Sequence, residues 1–186
     1  MREFGPSSIS HAGSLLVAHP SLLDPNFHKS VLLLTAHDAQ EGSFGFILNR
    51  PAGRTVSDVL PDKILGALGR VPVFLGGPVA TDQLTFASFR WDAASGRFEC
   101  RHHLGVEESE ACAEDHSFSV RAFIGYSGWG KGQLEAELAQ RAWLLVKPQM
   151  DALEQDRAPR LWRETLGGFG PWFRLIAEAP DDISRN

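Results

Sequence analysis

The residues best equipped for chemistry lie in one run, Gly125-Tyr126-Ser127-Gly128-Trp129-Gly130-Lys131-Gly132-Gln133. Its glycines tolerate positive φ and close backbone approach, so the run marks a tight path. Set between a strand and a helix N-terminus, such a turn can hold an anion on outward-facing amides. Two catalytic fingerprints nearly fit. Gly125 to Lys131 follows the phosphate-loop pattern G-x-x-x-x-G-K-[ST] through its lysine, but Gly132 stands where the magnesium-binding hydroxyl must be. Gly125-Tyr126-Ser127-Gly128-Trp129 begins like the nucleophile elbow G-x-S-x-G, but Trp129 replaces the closing glycine, where close packing needs a small residue. Ser127 could pair with His37 only if the strand carrying His37 neighbours the run, and His19, His28 and several carboxylates compete for that role.

Cys100, His102, His103, Cys112 and His116 supply nitrogen and sulfur ligands of the kind zinc accepts. Their spacing contains no C-x-x-C knuckle, and the intervening stretch is long and acidic, so no metal and no cofactor is called for. The plain reading is a hairpin with incidental histidines. Asn49, before Arg50-Pro51, reads as a turn-forming side chain. Trp129, Trp143, Trp162 and Trp172 read as packing residues, since base stacking needs an accompanying basic groove.

The elements that must position these groups follow from periodicity. Phe118, Val120, Ala122 and Ile124 alternate with Ser119 and Arg121, which predicts a strand over 118–124. The glycine run predicts a turn over 125–132, and a helix begins near Gln133, with Leu134, Leu138 and Leu145 on one face. Glu137 and Arg141 have the spacing of a helical ion pair. Upstream, Gly13–Ala18, Val31–Ala36 and Ser43–Asn49 read as strands, the last two as a hairpin around 38–42, with Pro51 ending the third. Residues 54–69 carry a helical pattern interrupted by Pro61. Val71–Leu75, Leu84–Phe89 and Arg97–His103 read as strands, the last two as a hairpin, and 104–115 as a short helix or loop. Leu144–Val146 extends the helix or forms a brief strand. Residues 149–165 read as helix broken at Pro159, and Pro171–Ala177 as an amphipathic segment. Hairpins with few βαβ crossovers predict an α+β fold. Residues 13–180 read as one compact domain behind a flexible lead, residues 1–12.

The chain has 186 residues, 43% hydrophobic, with a formal net charge of −5. Its pI is about 5.8 and its mean hydropathy −0.15. These values fit a soluble packed core. The acidic balance and the absence of a Lys/Arg run argue against nucleic-acid binding. Two cysteines fit a reducing cytosol. No apolar run at the start has signal-peptide length, and no segment is long enough to span a membrane, so a cytoplasmic protein is expected.

Several blocks together resemble a known family. Gly13-Ser14-Leu15-Leu16-Val17-Ala18 with Pro20, Asp24-Pro25-Asn26-Phe27 and Ser30-Val31 are similar to the opening of the YqgE/AlgH family of bacterial proteins. Gly45-Phe46-Ile47-Leu48-Asn49-Arg50-Pro51, Leu75-Gly76-Gly77-Pro78-Val79, Gly125 to Gly130, Gly132-Gln133-Leu134-Glu135 and Trp143 continue it in the family's order. The resemblance implies a compact α+β fold, mostly antiparallel, partly closed into a small barrel with flanking helices. It implies no catalytic residue. One member is associated with transcriptional regulation of alginate synthesis, but no helix-turn-helix cue or basic stripe accompanies that association here.

The expectation is a cytoplasmic, non-enzymatic regulatory or interaction protein. Its surface would be the glycine turn with Tyr126, Ser127, Gly128, Trp129 and Gln133, joined by His37 and Asn49. Its partner would be another protein or a small anionic ligand, and Trp129→Ala is expected to disturb capture more than stability. The alternatives are a small hydrolase or transferase holding an anionic metabolite at the same turn, and a regulator acting directly on DNA.

Overall fold

The structure is a computed structural model that describes residues 10–38 and 40–179. The tail from Pro180 and residues 1–9 of the expected lead lie outside the described residues.

The strands are β1 (Leu15–Ala18), β2 (Val31–Asp38), β3 (Gly42–Ile47), β4 (Pro51–Thr55), β5 (Pro72–Leu75), β6 (Val79–Asp92), β7 (Arg97–Leu104), β8 (Ser119–Trp129) and β9 (Trp143–Val146). The helices are α1 (Val56–Val59), α2 (Val106–Glu114), α3 (Gln133–Ala139), α4 (Leu161–Gly167) and α5 (Pro171–Glu178). The strands form one mixed sheet, curled into a half-barrel with flanking helices, in the order β4-β5-β8-β3-β2-β1-β9. β6 pairs with both β7 and β8 off that path. Among the described residues the one parallel pair is β5 with β8. The fold is α+β, as the hairpin pattern predicts.

β8 is the axis of the sheet, and it differs from the sequence reading. Residues 125–129 are strand, not turn: the bend is confined to Gly130, Lys131 and Gly132. The reason is that β8 has partners along its whole length. β5 pairs with Ala122–Ile124, β3 with Ser127–Trp129 and β6 with residues from Ser119 to Tyr126. Ladder bonds on both edges keep the chain extended. Gly125 makes one of these pairings possible. It has a φ of +70°, and a Cβ there would lie 2.5 Å from the Gly77 carbonyl oxygen. Only a side-chain-free residue lets the β5–β6 connection cross β8 this closely.

Other departures follow the same logic. Pro51 begins the edge strand β4 rather than ending structure, which suits a residue with no N–H to donate. The helical pattern of 54–69 yields only the single turn α1 and a 3-10 turn at Ala67–Arg70, since Pro61 and Gly66 break propagation. Leu144–Val146 lie in β9, so Leu145 does not share a helix face with Leu134 and Leu138. The 149–165 stretch is two 3-10 turns followed by α4.

Two hydrophobic clusters fill the fold. The larger joins β1, β2, the Phe46–Leu48 end of β3, Phe74, Phe89, Phe123, Trp129 and Trp143 to residues of α3, α4 and α5. The smaller lies under α1 and α2, around Val56, Leu68, Val71, Val73, Phe86 and Ala122. β8 feeds both, through Phe123 on one face and Ala122 on the other.

Candidate functional site

The register of three strands brings part of the predicted site together. His37 on β2 lies opposite Ser43 on β3, and Ser43 lies opposite Trp129 on β8. These residues and Phe44 border a shallow cleft of about 380 Å³, with Asp38 and Glu41 at its rim. α3 stands over the same region and ties it down. Glu137 Oε2 accepts the indole N–H of Trp129 at 2.9 Å and that of Trp143 at 2.7 Å. Glu137 Oε1 accepts from the Gln133 side-chain amide at 2.9 Å. The sequence spacing suggested a Glu137–Arg141 pair; instead the carboxylate turns inward to two indoles. Trp129 is buried, stacked on Phe27 at 6.5 Å and edge-on to Trp143 at 6.1 Å. Its truncation is therefore expected to act first on stability, by about 3–5 kcal/mol.

His37 is held by both ring nitrogens. Its side chain is 3% exposed, Nε2 lies 2.9 Å from Glu135 Oε1, and Nδ1 accepts the His11 backbone N–H at 3.1 Å. Ser127 is fully buried, and its hydroxyl donates to the Gly76 carbonyl at 3.1 Å. The two side chains thus serve different parts of the fold, and no nucleophile–base pair forms between them. The bend itself is capped internally. Gly130 N–H donates to Gln133 Oε1 at 3.0 Å, and Gln133 N–H donates to the Gly130 carbonyl at 3.1 Å. With those amides occupied and α3 only seven residues long, the anion-holding turn lacks open donors at these two positions.

Asn49 lies elsewhere. Its Oδ1 accepts the Val31 N–H at 2.8 Å, and its Nδ2 donates to the Lys29 carbonyl at 2.9 Å. Val31 starts β2 and His37 lies near its end, about 20 Å away along the strand. Beside Asn49, the Arg50 guanidinium donates to the carbonyls of Pro25, Asn26 and His28. Both side chains organise the loop that precedes β2.

A column of rings runs from the core to the surface and ends at Phe44, which also borders the His37–Trp129 cleft. Phe89 meets Phe123 at 6.3 Å, Phe123 stacks on Phe46 at 4.2 Å, and Phe46 meets Phe44 at 5.0 Å. Half-buried Phe44 is ringed by Tyr126 at 4.7 Å, His102 at 5.1 Å and His103 at 5.4 Å. Gly128, opposite Phe44, is exposed, and the Tyr126 ring lies close over it: a Cβ there would stand 3.3 Å from Tyr126 Cε2. His102 and His103 share a hydrogen bond between their Nδ1 atoms at 2.6 Å, so one nitrogen carries the proton and the other accepts it. Burial, and then His103, hold the His102 imidazole below its ordinary range. Phe44, His102 and His103 were not singled out for this surface. They sit on different hairpins, and only sheet curvature brings them to Tyr126.

The sulfur and imidazole groups considered for metal binding are dispersed. Burial pushes the Cys100 thiol up to about 12, and Cys112 is buried on the inner face of α2. Among the described residues no group of three or more His, Cys, Asp or Glu is placed to hold a metal ion. A second cavity of about 310 Å³ lies between Leu15, Val146, Leu161 and Phe169. Its Arg157 is matched by Asp151 and Glu164, which leaves that guanidinium no unpaired charge to offer a ligand.

Known proteins share this arrangement end to end. The AlgH-like family model (DUF179) matches residues 15–174. A UPF0301 protein of Streptomyces coelicolor is 40% identical over 188 aligned positions, covering 95% of this chain and 96% of its own. One from Chlorobium limicola is 32% identical, covering 91% and 92%. The solution structure of the AlgH protein from Pseudomonas aeruginosa superposes with a TM-score of 0.66 at 26% identity, covering 98% of this chain and all of that one. A crystal structure from Corynebacterium diphtheriae superposes at 0.68 with 20% identity, a likeness of fold. Matched in sequence over nearly its whole described length and in structure throughout, the chain belongs to the AlgH-like family.

Proposed function

We propose that this chain is a non-enzymatic cytoplasmic interaction protein that docks a protein partner on the face formed by Phe44, Tyr126, Gly128 and the neighbouring histidines, beside the His37–Trp129 cleft. One observation carries the reading. The polar groups that could have reacted, on Ser127, His37 and Asn49, are each spent on hydrogen bonds within the fold. Phe44 and Tyr126, in contrast, present partly exposed rings around exposed Gly128. Semi-exposed aromatic rings beside a concave surface supply binding energy without a reacting group.

The test is site-specific photo-crosslinking in cells. A benzophenone side chain at position 128 is expected to capture one protein, and the same probe at exposed Asp62 is expected to capture none of it. The captured protein, purified, should bind the wild-type chain saturably. Gly128→Arg, whose Cβ requires only a small shift of the Tyr126 ring, should weaken that binding at least about tenfold while still unfolding in a single transition, because it places bulk where the partner must sit. Equal capture at both positions, or full affinity in Gly128→Arg, sinks the docking surface. Turnover of a metabolite by the purified chain sinks the non-enzymatic reading.

A further inference from the structure

The segment before β1 is fastened to β2 by a bond that depends on the charge of one imidazole. Regular pairing of β1 with β2 covers only Val31–Leu33. Past that point, Gly13 N–H donates to the Leu34 carbonyl at 2.7 Å, and β2 then bulges between Leu34 and Ala36. Residues 10–12 reach the far end of β2 through His37. The His11 N–H donates to His37 Nδ1 at 3.1 Å, the Ser10 hydroxyl donates to the His37 carbonyl at 3.3 Å, and the two imidazoles pack 4.9 Å apart.

An N–H pointing at Nδ1 needs a lone pair there. The bond therefore selects the neutral imidazole with its proton on Nε2, and that proton is donated to Glu135 Oε1 on α3. When His37 takes up a second proton, Nδ1 becomes a donor and faces another donor. The bond to His11 is lost, while Glu135 holds the imidazolium more strongly than the neutral ring. The other charged groups around His37 set the direction. Arg97 of β7 donates to the Ala12 carbonyl at 3.0 Å and adds positive charge beside His11. Asp38 follows on β2, and Glu41 stands at the cleft rim. Burial first, then His37, keep the His11 imidazole below its ordinary range in the fastened state. Release restores that range, so opening takes up a proton at His11, and the loss of the Nδ1 acceptor on a protonated His37 ring works in the same direction: falling pH favours opening.

We propose that Ser10–Gly13 is an acid-released strap, latched by the neutral Nε2–H tautomer of His37, and that its release uncovers the Thr35–Asp38 end of β2 beside the cleft. The latch does not depend on which partner the neighbouring surface takes.

The test is a pH titration of the full chain by ¹⁵N NMR from about pH 8 to about pH 5, which spans the imidazole range. At the upper end, His37 should show the Nε2–H tautomer. As its ring titrates, protection of the His11 amide, corrected for intrinsic exchange, should fall about tenfold, the equivalent of one lost hydrogen bond. The two midpoints should coincide. In His37→Gln, which offers a donor and an acceptor but does not titrate, only the His11 contribution remains, so the loss of protection should be clearly smaller than in the wild type. An Nδ1–H tautomer at high pH, or unchanged His11 protection while His37 titrates, overturns the latch. An equal loss in His37→Gln overturns its assignment to His37. If that variant does not fold, the wild-type titration decides alone.

Discussion

Arg121 is the side chain whose setting departs most from its sequence context. The alternation of β8 placed it with exposed Ser119 on a solvent face, yet it is 2% exposed. Its guanidinium donates to the Leu48 carbonyl at 3.1 Å and the Leu153 carbonyl at 2.6 Å, and lies 4.1 Å from the Phe74 ring centre. Burial alone pushes its pKa down to about 9. A depressed value means that the unfolded chain binds the proton more tightly, so stability from this group rises with pH only above about 9, up to the ordinary guanidinium range. At neutral pH the arginine is charged and its burial cost is constant. The two carbonyls and the ring make that cost tolerable, and they fasten the 3-10 segment at Met150–Leu153 to the sheet. Arg121→Ala is expected to lose about 3 kcal/mol in urea unfolding, through a cavity and two orphaned carbonyls. Its effect should be the same at pH 6 and pH 8. An effect below about 0.5 kcal/mol would show that the clamp contributes nothing.

At the scale of elements, α3 is short, and its attachment to the sheet rests on Glu137. The helix buries Leu134, but its specific contact is the carboxylate shared by Trp129 of β8 and Trp143 of β9. Both indoles are buried, so removing their acceptor leaves two N–H groups without partners. Glu137→Ala is expected to cost about 2–4 kcal/mol, and Glu137→Gln, which keeps a carbonyl oxygen, less than half of that. Equal losses in the two variants, measured by denaturant midpoint, would mean that the helix is held by packing and not by this acceptor. The elements themselves were largely legible. Continuous apolar runs marked β2, and the hairpin β6–β7 was read from its turn residues. The glycine run misled because glycine serves a tight turn and a close strand crossing equally well. At Gly125 the crossing decides, and it involves Gly77, a residue 48 positions away.

At the scale of the molecule, the two hydrophobic clusters share β8, so they should unfold together. Leu34 lies in the larger cluster and Leu68 in the smaller, and both are fully buried. Leu34→Ala and Leu68→Ala are each expected to cost about 2–5 kcal/mol and to shift a single transition. The probes can separate the alternatives. Trp129, Trp143 and Trp162 report on the larger cluster, and no tryptophan belongs to the smaller one. Tryptophan fluorescence should therefore move with far-UV circular dichroism even in Leu68→Ala. A circular dichroism transition that splits while fluorescence stays in place would show two independent units.

The chain's order of apolar runs and turn residues was enough to determine an α+β fold, most of its strands and its family blocks, because period and turn chemistry are local properties. It also proposed Tyr126, Trp129, Gln133 and His37 as one surface, and the fold brings two of them, His37 and Trp129, to one cleft. Tertiary structure alone decided what those residues do. It sealed Ser127 under Gly76, sent Asn49 to the other end of β2, buried Arg121, and assembled Phe44, His102 and His103 around Tyr126. Each outcome depends on which strands lie side by side and how the sheet curls. Those are contacts between residues far apart in the chain, and no local pattern encodes them.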